Sequence, residues 1–260
     1  MGGAFVALAD DSSATWWNPA GLAAGPFLDL AVGRAPEASW FTAGIPPFGA
    51  SYYRLGVSRN PTGDGPAGRQ GRAVGIPAPH VASQLGATLV QTIVDGVHAG
   101  VTVKFVRGGP EGEGSTSTGD LDVGLLAVVG AFRFGAVARN VRAPVVGDIR
   151  LDRQVRIGAA FDAERAGLAP VTVAIDADLH EYTTAFGSRR VVSIGAERWL
   201  SDRRVGLRAG ARINTAGSRD GAATIGTSLA LRAGLYVDGH VVIGGSADER
   251  GWGVAGRVSF

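Results

Sequence analysis

The chain contains no cysteine and a single methionine among its 260 residues. The absence of cysteine excludes disulfide bonds, thiolate metal sites and a cysteine nucleophile. No stretch of about 18 apolar residues occurs either, which excludes a transmembrane helix. It does not exclude a transmembrane β-barrel, whose strands need only about 9–11 residues of alternating character.

Aromatic residues make up only 7 % of the chain and helix formers such as lysine are nearly absent, whereas 41 residues are glycine. This composition is typical of strands and turns. The 25 basic residues nearly balance the 23 acidic ones, and no basic cluster is interleaved with aromatics, so we expect no nucleic-acid partner. Residues 1–25 lack a basic n-region and a long apolar core, so we expect no signal peptide in this chain.

Alternation with a period of two begins at Phe27 and fills most of the remaining sequence. It predicts fourteen strands, near residues 27–34, 37–45, 48–59, 82–93, 97–107, 118–129, 131–141, 152–162, 170–180, 189–199, 203–213, 222–232, 235–245 and 250–260. Their apolar faces are mostly alanine and valine, which suits a lipid-facing wall. The alternative, a soluble sandwich, needs bulkier side chains to fill a core about 10 Å thick.

The links between these strands favour the membrane barrel. On the side of the barrel where the chain ends, most links have three residues or fewer. On the opposite side the links are longer, with the exception of the first hairpin. Outer-membrane barrels show the same difference between their two sides. The last strand stops at Phe260, which looks like the C-terminal signal of such barrels. We therefore predict an all-β fold, a transmembrane antiparallel β-barrel of about 14 strands, over residues 27–260.

The stretch "DSSATWWNPAGL", Asp11 to Leu22, does not alternate. Asp11 or Ser12 can cap a short helical turn, which Asn18 and Pro19 end. Such a piece is too short to be stable alone in water. We therefore expect residues 1–26 to form a separate hatch or plug docked inside the barrel.

The run "GGAFVALADDSSATWWNPAGL" resembles the N-terminal hatch of the long-chain fatty-acid transporter (FadL) superfamily of outer-membrane proteins, and it is more similar to the PorV-like and uncharacterised relatives within that superfamily. The stretches "VHAGVTVKFVRG", "AVARNVRAP" and "GWGVAGRVSF" are similar to barrel strands of those relatives. The resemblance implies a fourteen-stranded barrel in the bacterial outer membrane that passes small hydrophobic compounds. For PorV-like members it implies instead a binding or scaffold barrel that assists protein secretion.

These two functions imply different partners. Both need outer-membrane lipid around a barrel that we expect to be a monomer; the transporter binds a small hydrophobic ligand, and the scaffold binds a secreted or secretion-system protein. Fatty-acid transporters have much longer outer loops, and here the longest outer link is near residues 60–81. This difference argues against a large external binding site.

Two sets of residues are candidates for function. The hatch supplies ligand-binding or gating residues, namely Trp16, Trp17, Asn18, Pro19, Ala20 and Leu22. Inward-facing charges that could line the lumen are Arg54, Lys104, Asp176, Asp178, Arg204, Arg208, Arg212 and Asp238. The alternatives are that the tryptophans only pack on the wall and that the charges only compensate one another.

Catalytic and metal chemistry have weaker support. Asp176, Asp178 and His180 share one strand face about 7 Å apart, too far for easy chelation of a cation. The four histidines are scattered and no nucleophile-elbow serine occurs, although a lumenal Ser–His pair stays open as an alternative. We expect no enzyme activity, no metal and no cofactor. Trp40, Trp199 and Trp252 lie near strand ends, where an interfacial aromatic girdle would place them.

Overall fold

The computed structural model describes residues 1–57, 80–110, 114–147, 149–184, 187–245 and 249–260. Within these ranges the chain forms one closed antiparallel barrel of fourteen strands, which confirms the predicted fold class and strand number. The barrel strands are β1 (Asp29–Ala35), β2 (Ala38–Ile45), β3 (Phe48–Val57), β4 (His80–Val94), β5 (Val97–Pro110), β6 (Thr116–Val129), β7 (Phe132–Arg139), β10 (Gln154–Asp162), β11 (Val171–Asp178), β14 (Val191–Leu200), β15 (Val205–Asn214), β16 (Gly221–Arg232), β17 (Leu235–Gly244) and β18 (Gly251–Ser259).

Closure comes from β1, which pairs with β2 on one side and with β18 on the other. Asp29 lies opposite Gly44 of β2 and opposite Ser259 of β18. Every other barrel strand pairs with the barrel strands before and after it in the chain. Within the described ranges, the barrel sheet therefore has no open edge, and its ladder hydrogen bonds are made within the wall.

The two ends of the barrel differ. One end, which we call the turn end, carries the connections at residues 46–47, 95–96, 130–131, 163–170, 201–204 and 233–234. The opposite end, the loop end, carries the remaining connections, most of which are longer, although the link between β1 and β2 spans only residues 36–37. Two of these contain small sheets, formed by β8 (Val145–Val146) with β9 (Ile149–Arg150) and by β12 (Tyr182–Thr184) with β13 (Gly187–Arg189).

Side chains on the outer face of the wall are apolar and exposed. Phe105, Leu125 and Ile157, for example, are 55 %, 53 % and 44 % exposed on three different strands. Their chain neighbours on the inner face are polar or small. Thr102 and Lys104 are buried inside, and the hydroxyls of Thr88 and Thr102 are 2.7 Å apart across β4 and β5.

The core of the molecule lies inside the wall and is built from the N-terminal segment, residues 1–26. One buried cluster joins Ala4, Ala7 and Leu8 to Ala160 and Ala174 of the wall. A second joins Ala9, Ala14 and Leu22 to Val90. The segment contains a one-turn α-helix, α1 (Ala14–Trp17), and a 3₁₀ helix, Pro19–Ala24. Neither helix, nor any other in the described part of the chain, has the length and apolar character needed to cross a membrane.

Candidate functional site: the N-terminal segment and the cavities beside it

Asn18 and Pro19 form the junction between α1 and the 3₁₀ helix. Asn18 has extended backbone angles, and its Oδ1 accepts a hydrogen bond from the backbone N–H of Ala20 at 3.2 Å. Pro19 follows at the first helical position, where no backbone N–H is needed. The Asn-Pro pair therefore ends one helical turn, as the sequence predicted, and Pro19 starts the 3₁₀ helix.

The Asn18 side chain also joins the segment to the wall. Its Nδ2 donates to the backbone carbonyls of Val6 and of Leu125 on β6, each at 2.9 Å. Asn18 is fully buried, so both acceptors depend on this amide for part of their hydrogen bonding. Leu22 is buried on the same side of the interior, against Gly44 and Gly49.

Inward-facing glycines let the segment backbone approach the wall closely. A Cβ on Gly100 would stand 2.5 Å from the backbone at Pro19 and Ala20, and one on Gly135 would stand 2.5 Å from the carbonyl oxygen of Val6. Both distances are too short for non-bonded atoms. Other wall glycines at which a Cβ would meet the segment are Gly44, Gly49, Gly124, Gly158, Gly195 and Gly210.

Wall side chains bind the segment backbone directly. The Asp176 carboxylate on β11 accepts from the N–H groups of Phe5 and Val6 at 2.7 and 2.9 Å. Asp29 accepts from the N–H of Ser12 at 2.9 Å. The Ser12 hydroxyl lies 2.7 Å from that of Thr42 on β2. Asp176, one of the predicted lumen-lining charges, is thus a docking residue for the segment.

Two ion pairs join acidic residues of the segment to arginines of the wall. Arg133 on β7 contacts Asp10 at 2.9 Å, and Arg257 on β18 contacts Asp11 at 3.4 Å. Arg257 also lies 3.5 Å from Asp238. Burial raises the pKa of the Asp11 carboxyl, while the Arg257 guanidinium acts in the opposite direction.

The two tryptophans of the segment have different surroundings. Trp16 packs on Tyr53 of β3, with ring centres 4.8 Å apart, and the Arg139 guanidinium lies 3.9 Å above its ring. Trp17 meets Phe5 edge-on at 5.9 Å. Only Trp17 borders a cavity described below, so the structure separates the two residues that the sequence grouped together.

Two neighbouring cavities lie between the segment and the wall; both border strands β15, β17 and β18, and the first also borders β7, β10, β11 and β14. The first, of about 310 Å³, reaches the turn-end connections at Glu164 and Arg203. The second, of about 260 Å³, extends to Trp17 and His240. Five residues border both cavities: Met1, Phe5, Asp11, Arg208 and Arg257. His240 points inward yet is exposed, consistent with incomplete filling of the interior on this side.

Several predicted lumen charges are paired with other wall residues. Lys104 is buried between Asp120 and Asp122, at 3.1 and 2.7 Å. Arg156 contacts Asp178 at 2.6 Å. Arg212 contacts Glu249 at 2.6 Å. These residues compensate one another's charge within the wall and the loop end.

Arg208 and Asp238 belong to the cavity group. Arg208 hydrogen-bonds Glu197 and donates to the Ser228 hydroxyl at 2.6 Å. It also lies 3.4 Å from Asp238. Together with Arg257, these residues give the cavities a charged lining of both signs, next to the apolar rings of Phe5 and Trp17.

Arg54 and Arg204 do not face the interior. In β3, buried Ser51 and Tyr53 point inward, so Arg54 points outward with Tyr52 and is exposed. Two adjacent tyrosines had made the faces of this strand ambiguous. Arg204 lies in the turn before β15, outside the alternating strand, and is exposed.

The candidate metal and catalytic groups are dispersed. Asp176 binds the segment backbone, Asp178 binds Arg156, and the ring of His180 lies 2.9 Å from the Arg153 carbonyl oxygen. No group of three or more metal-binding side chains is placed together in the described ranges. None of the histidines whose side chains are described, His98, His180 and His240, hydrogen-bonds a serine hydroxyl.

Sequence reasoning missed the docking roles of Asp29 and of the inward glycines. The glycines had a readable signal, since Gly100, Gly124 and Gly135 occupy inward positions of three consecutive predicted strands. Glycine weakens a strand unless another backbone comes close to it. Their recurrence on one face therefore indicates a ligand or chain segment against that face.

No protein-family model and no curated protein sequence matches this chain. Several solved structures do match this chain. The monoaromatic hydrocarbon channel CymD aligns with a TM-score of 0.67 at 11 % identity, over 98 % of this chain and 94 % of that one. The Ralstonia pickettii toluene transporter TbuX gives 0.65 at 13 %, over 100 % and 98 %. The Pseudomonas putida toluene transporter TodX gives 0.55 at 12 %, over 99 % and 96 %. At these identities the likeness establishes the fold.

Proposed function

We propose that this protein is a bacterial outer-membrane channel for small hydrophobic compounds, related to the long-chain fatty-acid transporters, and that residues 1–26 are its hatch. The proposal rests first on the outer face. Large apolar side chains such as Leu85, Phe105 and Ile225 are between 55 % and 63 % exposed around the wall. Monomeric proteins in water rarely expose contiguous apolar patches of this extent, whereas a membrane barrel turns such a band toward lipid.

The observation that carries the transport proposal is the pair of cavities beside the segment. Each exceeds the roughly 150 Å³ of an engineered protein cavity that binds benzene. Phe5 and Trp17 offer aromatic surface to a ligand there. A compound of one-ring size would enter between the segment and strands β15, β17 and β18. The hydrocarbons carried by CymD, TbuX and TodX are of this class.

Hatch movement would widen this path. The segment is bound to the wall by hydrogen bonds, two ion pairs and close packing on glycines, all of which are non-covalent. Release of the Asp11 contact with Arg257 would free the edge of the segment that borders both cavities. We propose that this edge moves first and that the Asn18 side, which is fully buried, stays docked longer.

The alternative of a PorV-like secretion scaffold gains no support from the three similar structures, and it stays a prediction. A non-enzymatic role agrees with the kinds of protein that share the fold.

Uptake of radiolabelled toluene by bacterial cells that produce the full chain tests the proposal. We expect faster uptake than in cells without the protein, and several-fold slower uptake with His240→Trp, because the larger ring would fill the second cavity. Val241→Trp is the matched control, since Val241 is the next residue and points outward with 50 % exposure. Equal uptake with and without the protein would contradict the channel, and equal uptake by the wild type and His240→Trp would contradict this route.

A further inference from the structure

A row of arginine and serine side chains crosses the outer face of the wall near the loop end. The strand register places Arg34 opposite Ser39, Ser39 opposite Arg54, Arg54 opposite Ser83, Ser83 opposite Arg107, and Arg107 opposite Ser117. We call these six residues the arginine row. It runs without interruption over six adjacent strands, from β1 through β6, with an arginine on every second strand.

All three arginines of the row point away from the barrel and are exposed. Arg34 and Arg54 make no hydrogen bond or ion pair with any residue that the structure describes, and Arg107 donates only to the Ser115 hydroxyl at 2.7 Å. Some other exposed arginines of the loop end are bound within the protein. Arg153 donates to the Val141 carbonyl and Arg250 to the Gly244 carbonyl. Among the described residues, Arg34 and Arg54 therefore present cationic groups without a protein acceptor, and Arg107 has only a neutral hydroxyl as its acceptor.

The surface next to the row, toward the barrel middle, is apolar. On each of the first five strands, the residue two positions from the row member, toward the barrel middle, is apolar or aromatic. The same register aligns these residues side by side: Val32, Phe41, Tyr52, Leu85 and Phe105. They are between 43 % and 62 % exposed. A ligand for this surface must combine anionic groups, placed at the arginines, with hydrocarbon that covers the aromatic and aliphatic side chains.

We propose that the arginine row binds the phosphorylated headgroup of a glycolipid of the outer leaflet, whose acyl chains cover the apolar row beneath it. Guanidinium and phosphate form strong bidentate hydrogen bonds. Arginines two strands apart are separated by about 9–10 Å, so neighbouring arginines suit two phosphates on one headgroup better than a single one. Serines between them add hydroxyl donors.

The energetics of the membrane agree with this position. An arginine on the lipid face of a barrel is strongly destabilising at the bilayer midplane but costs little near the interface. Basic clusters at headgroup level attract anionic lipids. The inference rests on the proposed membrane location, but it needs neither the hatch nor transport.

The test measures lipid binding by the purified full chain in neutral detergent, using native mass spectrometry. The probes are a diphosphorylated glucosamine-disaccharide lipid, its monophosphorylated form, phosphatidylglycerol and inorganic phosphate. We expect the diphosphorylated lipid to bind at least tenfold more tightly than each other probe. Arg34→Gln/Arg54→Gln/Arg107→Gln should weaken its binding at least tenfold.

A control variant removes three charges from the opposite end: Arg198→Gln/Arg204→Gln/Arg232→Gln. These arginines are exposed and do not form a row, so their replacement should leave binding unchanged. The proposal would be overturned if both variants lost the same binding of the diphosphorylated lipid, or if the first variant bound it like the wild type. It would also be overturned if phosphatidylglycerol or inorganic phosphate bound as tightly as the diphosphorylated lipid. Toluene uptake by both variants should match the wild type. If the protein bound the lipid but took up no toluene, the result would contradict only the proposed channel function.

Discussion

Asn18 in the N-terminal segment donates from its Nδ2 to the backbone carbonyl of Leu125, in the middle of β6, at 2.9 Å. This bond links residues 107 positions apart in the chain, and the same amide also bonds the carbonyl of Val6. Because Asn18 is fully buried, no water replaces it easily. The segment is therefore held by a specific polar contact as well as by apolar packing.

Replacing this amide should loosen the segment. Asn18→Ala removes the buried hydrogen bonds that this amide donates to the carbonyls of Val6 and Leu125, at a cost of about 1–3 kcal/mol. We expect chymotrypsin to cleave at Trp16 and Trp17 roughly 5- to 150-fold faster, in proportion to the undocked population. Ser83→Ala, on the outer face of β4, should leave the cleavage rate unchanged. Equal protection of the wild type and Asn18→Ala would show that the amide does not hold the segment.

A methyl group on a wall glycine should have a similar effect by steric means. Gly135→Ala puts a Cβ 2.5 Å from the carbonyl oxygen of Val6, and such overpacking costs about 1–3 kcal/mol. We expect larger ion conductance in planar bilayers because the segment is displaced. Gly256→Ala is the control, since a Cβ there meets no atom within 4 Å. If both variants conduct like the wild type, the segment does not depend on the glycine.

The contact between Asp11 and Arg257 should couple the segment to the wall beside the cavities. Single variants Asp11→Asn and Arg257→Gln should each raise toluene uptake, because each weakens the edge that we propose moves first. The double variant should raise uptake by less than the product of the single effects, since the two residues share one interaction. If the increase in toluene uptake of the double variant equalled the product of the two single increases, the two residues would not act together.

Lys104 should matter for stability and little for transport. It is buried between Asp120 and Asp122, so Lys104→Met leaves two buried carboxylates without their cation, at a cost of about 3–5 kcal/mol. Denaturant unfolding in lipid vesicles measures this loss. Lys104→Met/Asp120→Asn/Asp122→Asn should recover part of it. A single variant as stable as the wild type would contradict the structural role of the lysine.

The strands were predictable because the wall has two faces with opposite requirements. In β15, for example, Leu207 and Ile213 are exposed outside while Arg208 and Arg212 point inside, and this contrast repeats every second residue. All fourteen predicted runs overlap barrel strands. Their ends differ by a few residues, since turns and loop-end hairpins are set by local contacts.

The docking contacts were not predictable, because they join distant parts of the chain. Nothing near Asp176 indicates that it accepts hydrogen bonds from Phe5 and Val6. The prediction of an aromatic girdle was only partly right for a related reason. Trp252 is exposed on the outer face, but Trp40 and Trp199 point inward. They lie opposite Gly33 and Gly206, which leave room for their rings.

Covalent attachment of the segment to the wall tests the proposal that hatch movement gates the channel. The chain has no native cysteine, and the hydroxyls of Ser12 and Thr42 are 2.7 Å apart, so Ser12→Cys/Thr42→Cys should form a disulfide. Thr88→Cys/Thr102→Cys is the matched control, with hydroxyls also 2.7 Å apart but both in the wall. We expect oxidation to slow toluene uptake in the first variant, reductant to restore it, and the control to be unaffected. Equal uptake by the oxidised and reduced forms of the first variant would contradict this proposal.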